Sequence, residues 1–137
     1  MAIEHISTIL CDYLVHADNG RFTLVGMFTN ISGPTLPITK QPIGVYIELV
    51  GEPGEPYRIS IEGNGLDVLI SEGVINQRGT PLQFQQSRTA IAGEMGLRFD
   101  TYGQFNVVLR SGAEIIHSTP FGVIQVVTGD VEEEDAA

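Results

Sequence analysis

Apolar and polar residues along this chain fall into short runs punctuated by glycine and proline, and the runs alternate with a period near two rather than 3.6. Residues 6–15 carry apolar side chains on both parities: Ile9, Cys11, Tyr13 and Val15 on one, Ile6, Leu10 and Leu14 on the other. That pattern predicts a central strand covered on both faces. The Asn19-Gly20 dipeptide follows, the pair that best supplies the positive φ angles of a two-residue β-turn. Counting outward from it predicts a hairpin with Asp18 opposite Arg21, Val15 opposite Leu24, Leu14 opposite Val25, Tyr13 opposite Gly26 and Cys11 opposite Phe28. In that register opposite charges flank the turn, and Gly26 lets the Tyr13 ring lie across bare backbone, a contact worth about 0.2–1 kcal/mol.

Residues 29–42 hold three prolines and a glycine, which predicts a long crossing loop rather than a continued ladder. Strand signals resume at residues 45–50, stop at the GEPGEP segment, and return where Tyr57, Ile59 and Ile61 alternate with Arg58, Ser60 and Glu62 as in a half-buried strand. A further run covers residues 66–70. Residues 72–89 turn polar and predict a second long loop, with one short strand around Leu82 and Phe84. Ile91, Gly93, Met95, Leu97 and Phe99 then alternate with small or polar neighbours, and strands follow at 105–109, 114–117 and 123–127. The loop at Ser111-Gly112 closes with two residues or three. Three is preferred, because it pairs Arg110 with Glu114 and Leu109 with Ile115. No stretch sustains an i, i+3, i+4 pattern, so no long helix is expected.

Eight or nine short strands at intervals of about 8–12 residues predict an all-β fold, a sandwich or a barrel. The sandwich, immunoglobulin-like or related, is the choice here, because two long loops connect separate sheets more readily than they close one meander. The domain spans residues 1–128, and residues 129–137 form an acidic, flexible tail. At 137 residues the chain can bury a core without disulfides or a structural metal.

Charge narrows the partners. The formal charge is -10, and the body without its five tail acids still carries -5, so it lacks the basic stripe that nucleic-acid phosphates or an anionic membrane would require. No apolar stretch reaches the roughly 20 residues of a membrane span. The N-terminal residues show no basic segment ahead of an apolar one, which leads us to expect a cytoplasmic protein.

Candidate chemistry is sparse. Asp12, between Cys11 and Tyr13 in an apolar strand, must find hydrogen bonds or stay protonated if it is buried. It is either a structural strut accepting backbone N–H groups, the reading preferred, or an acid or metal ligand. Cys11 with His16 or His117 would make a nucleophile and base, but a lone cysteine in an apolar strand reads as a small core residue. His5, His16 and His117 are scattered without metal-ligand spacing, and Asp18, Asp67 and Asp100 occur singly where calcium needs clustered oxygens. Asn30-Ile31-Ser32 matches the glycosylation acceptor pattern by chance, and the GEPG and NGLD segments are turns rather than phosphate cradles. No catalytic residue, metal site or cofactor is therefore assigned, and the ligand-binding residues stay unknown.

The Cys11-Asp12-Tyr13 block, the Asn19-Gly20 turn and the Leu24-x-Gly26-x-Phe28 block, with Tyr102-Gly103-x-Phe105-x-Val107-x-Leu109 later, resemble a family of short, uncharacterised bacterial proteins. The resemblance covers nearly the whole domain apart from the tail. It implies no activity and transfers no site residue.

Three kinds of function follow. The leading expectation is a non-enzymatic sandwich that binds or assembles, a homo-oligomer through edge strands poor in guarding lysines, with a phage-like particle component as one form of it. The alternative is a small-molecule, carbohydrate or peptide binder or hydrolase, with a pocket under the 72–89 loop supplied by Gln77, Gln83, Gln85, Gln86 and Arg88. A third is a regulatory protein held by a partner at an exposed edge.

Overall fold

Residues 3–18, 21–75 and 87–126 are described by a computed structural model of the chain. They form nine strands: β1 (Glu4–His16), β2 (Phe22–Phe28), β3 (Asn30–Gly33), β4 (Ile38–Gly51), β5 (Pro56–Gly63), β6 (Leu66–Val74), β7 (Ser87–Phe99), β8 (Gly103–Ser111) and β9 (Glu114–Gln125). Sheet A has the order β2-β1-β4-β7 and sheet B the order β3-β9-β8-β5-β6, all neighbours antiparallel except β3 with β9. This is the two-sheet all-β arrangement that the alternating pattern predicts.

The period of two explains the core. Ile43, Val45, Ile47 and Leu49 on β4 present one face to the other sheet, where Ile59, Ile61, Phe105, Val107, Leu109, Phe121 and Val123 answer them. On β7, the Ile91, Leu97 and Phe99 positions of the sequence pattern are all buried. Phe99 from sheet A meets Phe105 edge-on at 5.1 Å and Phe121 at 6.1 Å, both from sheet B, so an aromatic cluster ties the layers together.

Several expectations need correction. The β1–β2 ladder pairs Tyr13 with Val25, Leu14 with Leu24, Val15 with Thr23 and Cys11 with Met27, one residue away from the expected register. Ala17 N–H donates to the Arg21 carbonyl at 2.8 Å, so three residues rather than two separate the paired ends; Asn19 and Gly20 themselves lie outside the described residues. With the register moved by one, Gly26 accommodates Asp12 and not the Tyr13 ring: a Cβ at Gly26 would overlap the Asp12 carboxylate. Central position in the sheet also does not mean burial here. No layer covers the outer face of sheet A among the described residues, and Tyr13, Val15 and Met27 are 45%, 47% and 69% exposed.

Residues 29–42 do cross between sheets, as expected, but they are not a loop throughout. They contain β3 and the first residues of β4, because Pro34 and Pro37 fall in the connection and Pro42 falls where the β4–β7 register shifts, between Lys40 and Ile43. Strands β6 and β7 take up the ends of the expected 72–89 loop, and its short strand at Leu82 and Phe84 lies outside the described residues. β9 joins the two final strands into one.

Turn chemistry decides two hairpins. The two-residue turn is at Asn64-Gly65, whose φ angles of 47° and 84° are both positive, as a type I′ turn between twisted strands requires. The β8–β9 turn also has two residues, Gly112 and Ala113, pairing Ser111 with Glu114 and Arg110 with Ile115. Gly112 has φ 61° at the first central position, the place where a type II′ turn wants glycine, and this overrides the charge pairing that favoured three residues.

Candidate functional site

The β1–β2 hairpin gathers most of the residues that carried candidate chemistry, and it lies at one margin of sheet A. Asp12 is not buried: its side chain is 51% exposed and accepts a hydrogen bond from Lys40 Nζ on β4 at 2.7 Å. The same ammonium stands 5.2 Å from the centroid of the Phe28 ring. The partner of Asp12 is a lysine rather than the run of backbone N–H groups expected of a strut. The Pro42 irregularity brings Lys40 there, since β4 leaves β1 after the Cys11–Gly44 pair. Beyond that pair the Leu14 N–H donates instead to the Glu94 carboxylate, which reaches from β7 across the side-chain-free Gly44.

Cys11 is fully buried against Gly44, and its thiol meets the Tyr13 carbonyl at 3.4 Å. Burial pushes the thiol's pKa up, a tendency to which the nearby Glu94 and Asp12 carboxylates add. The sulfur fills the space left by the missing side chain of Gly44. The histidines suggested as its base are engaged elsewhere: His16 stacks on Phe22 at 4.5 Å, and His117 stacks on His5 with ring centroids 3.7 Å apart. Asp100 takes a hydrogen bond from Arg98 at 2.9 Å, and Asp67 pairs across β5–β6 with Glu62. Among the described residues no group of three or more His, Cys, Asp or Glu could hold a metal. Asn30 Oδ1 accepts the Gly122 N–H at 3.0 Å, and the GEPG segment is a turn bonded to Ile75, its Gly54 N–H reaching the Ile75 carbonyl at 2.8 Å. The pocket expected under residues 72–89 falls largely outside the described residues.

Two further arrangements of titratable groups were not foreseen. Arg110 on β8 forms a bidentate pair with Glu62 on β5, and Ser60, fully buried, donates to the same carboxylate at 2.6 Å. Arg110 and Ser60 hold the Glu62 carboxyl at about 2, well below its ordinary 4.5. His5 on β1 and His117 on β9 stack across the two sheets, and His5 also bonds Thr8 at 2.7 Å. Burial, then the neighbouring His117 ring, press the His5 pKa below its ordinary 6.5.

A base with a lowered folded pKa binds fewer protons folded than unfolded, so its contribution is complete above the unfolded value and is lost as pH falls through it. We expect the thermal midpoint to drop between about pH 7.5 and pH 5.5, and His5→Gln to flatten that slope. A slope unchanged by His5→Gln would remove His5 from this account.

The free surface of the hairpin is a different matter. β2 ends sheet A, and over Phe22–Phe28 it has no charged residue and no proline. Beside it the exposed Tyr13, Val15 and Met27 make an apolar strip across β1 and β2, Tyr13 paired with Val25 and Met27 with Cys11. Among the described residues no helix is long and apolar enough to cross a membrane.

A family model, described as a family of unknown function (DUF6941), matches residues 6–124. No curated protein matches the chain.

Proposed function

The chain belongs to this family of unknown function, DUF6941, and from that premise we propose that it is a non-enzymatic β-sandwich that assembles with its own kind, two copies pairing along the free edge of β2. The observation that carries the reading is the edge itself. A strand ending a sheet offers a row of backbone donors and acceptors to another chain, and monomeric proteins guard it with lysine, proline, bulges or a covering loop. In β2 the one irregularity is Gly26, at φ 69°, so residues 22–25 are a regular stretch that carries no lysine or proline and that no other described strand pairs on its outer side, in a chain of formal charge -10.

Antiparallel pairing of that stretch about a two-fold axis at Thr23 sets Phe22 opposite Leu24 and Thr23 opposite Thr23 of the second copy. Aromatic meets aliphatic, threonine meets threonine, and no charge faces a like charge, which suits self-pairing in an acidic protein. A stable dimer buries about 800 Å² per partner, more than a short ladder provides, and the exposed strip of Tyr13, Val15 and Met27 offers apolar area adjoining the edge.

Thr23 is exposed, so Thr23→Lys leaves the fold intact while placing a cation at the pairing edge. Sedimentation equilibrium should give twice the chain mass for the unaltered protein at high concentration and the single-chain mass for Thr23→Lys, with equal unfolding midpoints in dilute solution, where both are single chains. A strict monomer, or a dimer indifferent to Thr23→Lys, overturns the proposal.

A further inference from the structure

The outer face of sheet B presents a second surface, independent of the β2 edge. A groove of about 770 Å³ runs over β9 where it is flanked by β3 and β8, inside the range of about 300–1,000 Å³ usual for ligand sites. Gly122 keeps the floor low: it stands directly opposite Asn30 of β3 and Gln104 of β8, and the Asn30 amide leans over it, its Oδ1 2.8 Å from where a Cβ would be. We infer that this groove binds a neutral oligosaccharide.

The lining carries the argument through its charge, its unspent hydrogen-bonding groups and its spent backbone. Among the described residues no charged one lines the groove, although the chain as a whole carries -10. That disfavours a cationic or anionic ligand, since neither would find a counter-charge. The polar groups that do line it are amides with capacity left over. Asn30 uses its Oδ1 on the Gly122 N–H, which leaves the Nδ2 donors. Gln125 uses its Nε2 on the Pro34 carbonyl at 3.3 Å, which leaves the Oε1 acceptor. The Gln104 side chain makes no hydrogen bond among the described residues and offers both. A sugar hydroxyl, donor and acceptor at once, matches such a mixed set.

The backbone floor separates a sugar from a peptide. Gly122 and Val123 are paired on both sides, with Asn30 and Ile31 of β3 and with Gln104 and Gly103 of β8. No ladder position is open there for an added strand, so an occupant has to be read by side chains. Between the amides, Pro120 and the exposed Ile124 supply the apolar surface on which the C–H face of a sugar ring packs.

Isothermal titration calorimetry against neutral hexasaccharides of glucose, galactose, mannose and N-acetylglucosamine, with an uncharged decapeptide alongside, tests this directly. At least one hexasaccharide should bind. Gln104 is exposed and its side chain is without a hydrogen bond among the described residues, so Gln104→Ala should weaken that binding about tenfold, the loss of one or two hydrogen bonds, while leaving the unfolding midpoint in place. Ile124→Asp should weaken it further. Failure of every hexasaccharide to bind, binding indifferent to both substitutions, or binding of the decapeptide alone overturns the inference.

Discussion

Phe99→Ala is expected to destabilise the sandwich by about 3–5 kcal/mol, the range for removing a buried phenylalanine ring. The ring is 1% exposed and sits at the last residue of β7, where sheet A meets Phe105 and Phe121 of sheet B. Deleting it opens a cavity at the seam between two layers. The hydrogen-bonded ladders on each side limit how far the neighbours can collapse into the space, so the cost should fall toward the upper part of the range. Against a total stability of about 5–15 kcal/mol, that is a fifth or more of what holds the domain folded. Urea denaturation reads it as a lowered midpoint at constant slope. A loss below about 1 kcal/mol would mean that the aromatic cluster is not the seam described.

Gly44→Ala is the second large effect, expected to cost about 1–3 kcal/mol by overpacking. A Cβ at Gly44 would lie 2.7 Å from Cys11 Sγ and 3.2 Å from Leu14 Cγ, and the buried thiol has nowhere to move. Cys11 and Gly44, paired directly across β1 and β4, therefore share one volume. Cys11→Ala vacates the sulfur's place, so the double variant should be more stable than the sum of the two single losses allows, by about 0.5–3 kcal/mol. Equilibrium unfolding of the four proteins closes the cycle. Strict additivity would mean that the thiol is not packed against Gly44, and the structural role assigned to Cys11 would fall with it.

Much of this architecture was legible in the chain because burial repeats with the strand period. Ile59 with Ile61, Val107 with Leu109, and Leu97 with Phe99 each mark a buried face, and two sheets of such faces make a sandwich. Register was not legible, since it hangs on a single loop residue. Moving the β1–β2 pairing by one replaced Tyr13 with Asp12 as the neighbour of Gly26. Apolar residues on both parities of β1 were equally ambiguous: the pattern reads the same whether a layer covers Tyr13 and Val15 or the face is open, and here it is open.

The charged pairs left no local trace at all. Lys40 reaches Asp12 from 28 residues away and Arg110 reaches Glu62 from 48, meetings that depend on the fold rather than on spacing. One signal could have been weighed differently. The chain contains Asn-Gly twice, and the second, Asn64-Gly65, closes the two-residue hairpin that the first was expected to make.

Amide hydrogen exchange at residues 22–25, compared between dilute and concentrated protein, measures the β2 edge most directly. If two copies pair along that strand, amides of β2 that point away from β1 exchange more slowly as concentration rises, and Thr23→Lys abolishes the slowing. Exchange at the same rate at every concentration would show that the strand stays single, and self-assembly through it would have to be abandoned.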